Sequence, residues 1–327
     1  MRERAALVVG LIRDYTSWIA LAIVVVLFSN LAPAFLSVTN LMSILNAASI
    51  VGLVAIGLAF TLLAGGFDLS VAAIMLAGSM VFGTLFMNQH LAVGEAMLLS
   101  LVVTTALGLV NGLVITKVKL PAFIATFATM FAYNGMGIGL GGGAAIYNVT
   151  HPFFTFLGQG RLGVAPMPAV IFILVAIAAY LVLRTTPFGR AVYAVGDNDK
   201  TAHMAGINVD RIRIMTYMIS GFLSGLAGLI LTARLEVANV TQATIAGYSA
   251  NLLDAIAAVM IGGISIFGGE GRMHGLIGGI LLIFVLTNGI AILGMTITYH
   301  MLAKGLLILL AVGMDIYFRS GVSLRRR

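Results

Sequence analysis

The chain has 327 residues, of which 61% are hydrophobic and only 9% charged, with a mean hydropathy of +1.10. Soluble proteins carry about a quarter of their residues as charges, so a soluble globular domain is excluded and a polytopic all-α membrane protein with almost no soluble mass is expected. The net charge of +7 sits in short loops and tails, where it orients a membrane protein rather than binding nucleic acid, and the absence of cysteine excludes disulfides and thiolate metal sites.

Apolar runs of about 20 residues mark bilayer spans, and about ten follow one another: 17–34, 41–63, 69–87, 96–116, 121–141, 166–183, 214–233, 252–267, 274–293 and 300–318. Arg2, Arg4 and Arg13 ahead of an apolar run from Trp18 imitate a signal peptide. The run continues to Pro33 with no clear small-residue cleavage site, so it reads as an uncleaved first span behind a tail of residues 1–16. "APAFLSVTN" separates the first two spans, with Pro33 as a break and Thr39 and Asn40 as a helix start. "LLAGGFDLSVAAIM" (62–75) follows, where Gly65 and Gly66 can end a helix with positive φ and Asp68 stands between two apolar runs. "NQHLAVGE" is a short polar loop and "KVKLP" a basic loop ended by Pro121. The spacings Gly108–Gly112 and Gly221–Gly225 predict close helix crossings, and Trp18 is an interfacial anchor.

Two connections are long. The outer one, 142–165, mixes glycine with aromatics; the inner one, 184–213, is the only long charged stretch. Within it, Asp199 to Gly206 forms a short helix with Asn198 as its cap and Gly206 as its stop, suited to docking a cytoplasmic partner. "GGEGR" (268–272) is a glycine turn, and 319–327 is a basic tail facing anionic lipid.

Ten spans put both termini on one side. With the termini inside, every Lys and Arg lies inside except Arg161 and Arg234 outside and Lys304 within a span, which decides the orientation. Chemistry is sparse. The chain holds no GxxxxGK[ST], HExxH or GxSxG, and its five histidines are scattered without metal-ligand spacing, so a conduit is favoured over an intramembrane enzyme.

"GGFDLSVAAIM" (65–75), "PAFIATFATM" (121–130), "TPFGRAVYAVGDNDKTAHMAGINVDRIRI" (186–214), "LDAIAAVMIGGISIFGGEGR" (253–272) and "LTNGIAILG" (286–294) stand in that order. Together they resemble the permease subunit of ribose-type ABC importers, the branched family carrying monosaccharides and related small polar solutes, over about residues 35–318. The resemblance implies an ABC importer permease fold of ten spans with cytoplasmic termini in a bacterial inner membrane, built as one domain over 1–327. It implies pairing with a second copy or close paralogue, two cytoplasmic ATP-hydrolysing subunits that carry the ATP and Mg, and a periplasmic or lipid-anchored sugar-binding protein. No cofactor is implied on this chain.

The family's transmission segment matches at Gly196, Asn198, Ala202, Gly206 and Ile207, with Thr201 replacing an alanine, and implies a coupling helix lying in a groove of the ATPase. Lys200 and His203 within it point to a matched ATPase. Relatives often read Gly-Tyr-Glu-Leu-Asp-Ala-Ile before the eighth span; here "GYSANLLDAIAAV" has extra residues and Leu252 at the glutamate's place, with Asp254 kept.

Asp68 reads as an N-terminal cap of the third span or, alternatively, as part of a gate; Asp254 carries the same two readings. Gly65, Gly66, Gly268 and Gly269 are hinge candidates. A path for uncharged polyols needs amides, hydroxyls and aromatic faces rather than fixed charge. Asn46, Asn111, Tyr133, Asn134 and Asn288, with Phe127 and Phe131 four residues apart, are the translocation candidates; bonding or packing between helices is the competing role. The expected function is the permease of an ATP-driven importer for a small neutral polyhydroxylated solute, a monosaccharide such as ribose or a polyol. The alternative, an ion-driven secondary transporter, predicts an acid or charged pair buried in mid-membrane, and Asp68 and Asp254 fall near span ends instead.

Overall fold

The computed structural model describes residues 2–239, 248–296, 298, 299, 301–306 and 309, with side chains from Tyr15 onward apart from 248–251. Among the described residues the helices are α1 (Arg2–Leu31), α2 (Val38–Leu63), α3 (Val71–Gly83, continued by a π-helical turn Thr84–Asn88), α4 (Val93–Thr116), α5 (Ala122–Leu140), α6 (Pro152–Gln159), α7 (Met167–Thr185), α8 (Pro187–Asp197), α9 (Asp199–Met204), α10 (Val209–Leu235), α11 (Tyr248–Ile261) and α12 (Met273–Ile292). The strands β1 (Arg161–Leu162) and β2 (Ala165–Pro166) pair antiparallel between α6 and α7.

Seven of these helices are long and apolar enough to cross a membrane: α2, α3 with its extension, α4, α5, α7, α10 and α12. Two shorter apolar segments, Tyr15–Leu31 of α1 and Leu252–Ile261 of α11, fall where further spans are expected. The expected tenth span, 300–318, lies mostly outside the described residues, as does the basic tail 319–327. α3 is buried over its whole length and α2 from Ala48 to Leu63, and both are apolar all round there, the pattern of central helices. With α10 they form the middle of the bundle; α4, α5 and α7 lie outside it and keep exposed apolar faces.

The crossing of α4 on α10 explains the paired glycines. A Cβ on Gly108 would overlap the carbonyl oxygen of Tyr217, and one on Gly225 would overlap the Thr104 hydroxyl. The two small-residue stretches therefore face each other within one chain. In lipid, where helices gain nothing from hiding apolar surface from one another, such backbone proximity and interhelical polar bonds supply the association. Ser100 donates to Gly78 O at 2.7 Å, and the hydroxyls of Ser79 and Thr232 lie 2.6 Å apart.

The connections sort to two ends. At one, Tyr15 stacks on His274, Lys117 pairs with Asp210 at 2.7 Å, and Gly269 N donates to Leu63 O at 3.1 Å. At the other, Ile146 bridges Ala238, and Gln159 donates to Arg234 O at 3.0 Å. The basic loops at 117–119, 184–213 and 272 thus share an end, away from Arg161 and Arg234.

Three expected segments differ. The loop 184–213 is largely helical: Thr186 caps α8 by accepting from Gly189 N at 3.1 Å, Pro187 starts it, and Val192 and Val195 are buried beneath it. The outer connection 142–165 contains α6, whose Phe154 stacks on Phe82 at 4.1 Å. The eighth span, expected to reach 267, stops at Ile261 because Gly263, at φ +76°, turns the chain, with Gly263 N donating to Met260 O and Ile264 N to Val259 O.

Gly108→Ala is expected to cost about 1–3 kcal/mol through overpacking, read as a lower thermal unfolding midpoint in detergent. Gly135→Ala on α5, where a Cβ meets nothing within 4 Å, leaves the midpoint unchanged or raises it.

Candidate functional site

α9 is a six-residue helix isolated by its flanking chain. Asn198, extended at φ −157°, accepts from Thr201 N at 3.0 Å, and Gly206, at φ +83°, ends the segment as its N–H donates to His203 O and that of Ile207 to Ala202 O. Ala202 is buried and Ile207 half-buried, while Lys200, His203 and Met204 point outward, Met204 being 80% exposed. Asp199 is held by Arg213 at 3.5 Å.

Immediately before α9, three backbone segments meet without side chains between them. A Cβ on Gly196 would overlap Leu63 O and crowd Gly269 N; one on Gly268 would lie 2.7 Å from Gly196 O and 2.8 Å from Gly65 Cα. Gly65, Gly268 and Gly269 all have positive φ, which glycine alone adopts at little cost. The end of α2, the end of α8 and the α11–α12 turn are thereby joined. Beside them a groove of about 360 Å³ runs between Asn198, Lys200, Arg213 and Phe267, the last 68% exposed.

From Gly65 the chain enters the segment holding Asp68, whose side chain is fully buried. One carboxylate oxygen accepts from Ser70 N at 2.9 Å and Ser70 Oγ at 2.6 Å; the other accepts from Ser220 Oγ of α10 at 2.8 Å. Asn111 of α4 donates to Ser70 Oγ at 2.7 Å, and the Tyr133 hydroxyl of α5 lies 3.1 Å from Asn111 Oδ1. Phe67 exchanges bonds with the Tyr217 hydroxyl at 3.2 Å and accepts from Thr126 at 3.1 Å. In this turn between two spans, burial raises the Asp68 carboxyl above its ordinary value, opposed by the bonds from Ser70 and Ser220. The residue at the cap position of α3 is Ser70, so Asp68 acts two residues earlier, tying the turn to α10.

The translocation candidates are not brought to one place. Asn111 and Tyr133 belong to the Asp68 network. Asn288 and Asn40 exchange two amide bonds at 2.9 Å, joining α12 to the start of α2. Phe127 and Phe131 continue a ring ladder from Phe123 on the exposed face of α5. Asn46 and Asn134 keep buried side-chain oxygens with no hydrogen-bond partner. Gly66 lies against Tyr217, where a Cβ would be 2.6 Å from the hydroxyl.

Asp254 lies inside α11, six residues past its start, and forms an ion pair with Lys304 at 2.8 Å rather than a helix cap. Sequence reading missed this partner, although an isolated lysine in one apolar run and an isolated acid in another are the available signal. Leu252 is buried in the core. Tyr193, Ser70, Tyr217 and Ser220 were likewise unmarked, because neutral hydroxyls in apolar runs carry no distinguishing pattern.

A family profile described as branched-chain amino acid transport system / permease component matches residues 40–312. The chain is 40% identical over 308 residues to the ribose import permease protein of Bacillus subtilis (strain 168), covering 94% of each. It is 33% identical to the D-allose transport system permease protein of Escherichia coli (strain K12), covering 92% of this chain and 91% of that one. It is 34% identical to the fructose import permease protein of Rhizobium meliloti, covering 87% and 80% respectively. No solved structure matches.

Asp68→Ala leaves Ser220 and the Ser70 N–H without their acceptor and is expected to destabilise the chain by about 1–3 kcal/mol for each donor stranded. Asp68→Asn, which keeps one acceptor oxygen, costs less. A double-mutant cycle with Ser220→Ala, read by unfolding in mixed micelles, is expected to give a coupling of about 0.5–3 kcal/mol.

Proposed function

The chain belongs to this permease family, as a ribose-type ABC sugar permease and a multi-pass membrane protein, and we propose that it moves a small neutral polyhydroxylated solute, ribose or a close monosaccharide or polyol, into the cytoplasm by alternating access. The relatives named for ribose, allose and fructose support that substrate class. The observation that carries the mechanism is the side-chain-free contact of Gly196 with Gly65 and Gly268.

In this reading the chain is one domain of ten spans, with both termini in the cytoplasm of a bacterial cell and the body in its inner membrane. The end bearing α8 and α9 is cytoplasmic, which the clustering of basic loops there supports. α9 is the coupling helix, docked on a separate ATPase subunit through Lys200, His203 and Met204. ATP and Mg belong to that subunit, so this chain is no enzyme. Displacement of α9 pushes on Gly196, and because backbone contacts there leave no slack, the end of α2 and the Asp68 turn follow. The turn is tied to α4, α5 and α10, so these helices move as one side of a gate. A second copy or close paralogue completes the path, and a periplasmic or lipid-anchored binding protein delivers solute. Asn46 and Asn134, whose oxygens lack protein partners, are the asparagines best suited to meet sugar hydroxyls.

The test is co-purification with the ATPase subunits in mild detergent, followed by uptake in proteoliposomes with the binding protein. Intact chain is expected to retain the ATPase and take up ribose with ATP; Lys200→Glu with Met204→Asp, both at exposed side chains, loses both while keeping its unfolding midpoint. Gly196→Ala keeps the ATPase but drops uptake at least about tenfold, the equivalent of 1.4 kcal/mol of lost coupling. Accumulation by the purified chain alone on an ion gradient would overturn the importer reading, and ATP-driven uptake of another solute class would overturn the sugar.

A further inference from the structure

We propose that a cavity between α1, α7, α8 and the start of α12 binds the phosphate headgroup of an anionic membrane lipid. The cavity measures about 610 Å³, within the range of sites that hold small molecules. Its polar wall is made by Arg184, Arg272, Tyr15, Tyr180 and Tyr193, and none of the described residues lining it is acidic. Arg184 lies over the Tyr180 ring, 5.4 Å from its centre, and bonds the Tyr180 hydroxyl. Among the described residues no carboxylate pairs with Arg184, so its positive charge remains available to an anion.

Two further features shape the site toward phosphate. Tyr193 donates to Gly271 O at 3.0 Å, fixing the wall formed by α8 against the turn before α12. α12 opens with no side-chain cap hydrogen bond and no acid in its first turn, so the positive end of a 20-residue helix faces the cavity. A planar guanidinium offers paired N–H groups to phosphate oxygens, which gives Arg184 a geometric as well as an electrostatic fit.

The flanking helices favour a lipid over free phosphate. On α1, Tyr15 is followed at helical spacing by Ile19 and Ile23, both exposed. On α7, Arg184 is preceded by Leu181 and Ile177, also exposed. Both stripes run from the cavity toward the apolar middle of their helices, the arrangement expected for acyl chains below a phosphate head. A soluble anion would use only the polar half. Basic pockets between spans at a membrane surface are suited to such headgroups.

Trp18 reports on the site, since it is the only tryptophan and its indole N–H donates to His274 O, on the cavity wall, at 3.1 Å. The full chain is placed in phosphatidylcholine vesicles containing either phosphatidylglycerol or phosphatidylcholine with brominated acyl chains, and Trp18 quenching is titrated. Half-quenching is expected at an at least about fivefold lower mole fraction of the phosphatidylglycerol, the preference one arginine near a membrane surface confers. Arg184→Gln with Arg272→Gln abolishes the preference, whereas Arg325→Gln, Arg326→Gln and Arg327→Gln together leave it intact. If the double variant fails to fold, Arg184→Gln alone, at an exposed side chain, is expected to weaken the preference. Equal quenching by the two lipids in the wild type, a preference that survives in the cavity variants, or one lost with the tail would overturn the proposal. So would its erasure by inorganic phosphate, which would make the cavity a soluble-anion site.

Discussion

A carboxylate shut away from water stands only where donors converge on it, and the way Asp68 is met organises this bundle. Its oxygens draw Ser70 from its own turn and Ser220 from α10. Through Ser70 the network reaches Asn111 on α4 and Tyr133 on α5. Helices far apart in sequence are thus registered against one short segment. The α4–α10 glycine crossing brings two of those helices close enough for the bonds to form, so backbone packing and the polar network depend on each other.

The second constraint lies one turn away. Where Gly65, Gly196 and Gly268 touch, no rotamer can absorb a shift, because no side chain lies between the backbones. Side-chain contacts yield under load by changing χ angles; main-chain contacts pass displacement on. In the proposed importer this makes the region a rigid transmission, with compliance confined to its outer face, where Phe267 and Met204 are exposed.

The seven long spans are legible in the sequence because their signal is local: long apolar runs, broken by Pro33, Gly65 and Gly66, and the basic loops. α9 is legible for the same reason, its cap and stop lying within a few residues of it. The small-residue spacings announce close crossings, though not that Gly108 meets α10. What stays hidden is long-range or chemically quiet. Ser220 finds Asp68 across 152 positions, and Lys304 finds Asp254 across 50. The amphipathic α8 is obscured by charges that read as loop. Polar residues inside spans divide into bonded and unbonded only in three dimensions: Asn288 is spent on Asn40, whereas Asn46 and Asn134 keep free oxygens.

The ends of α9 carry a kinetic consequence. A six-residue helix does not hold its shape in water, since nucleation consumes more order than so few bonds return. Here Asn198 and Gly206 close both ends, and buried Ala202 anchors the middle to the bundle. The segment therefore stands folded before any partner arrives. In the proposed importer, association at this surface is then a rigid-body encounter, with its rate set by diffusion and orientation and little entropy left to lose on contact.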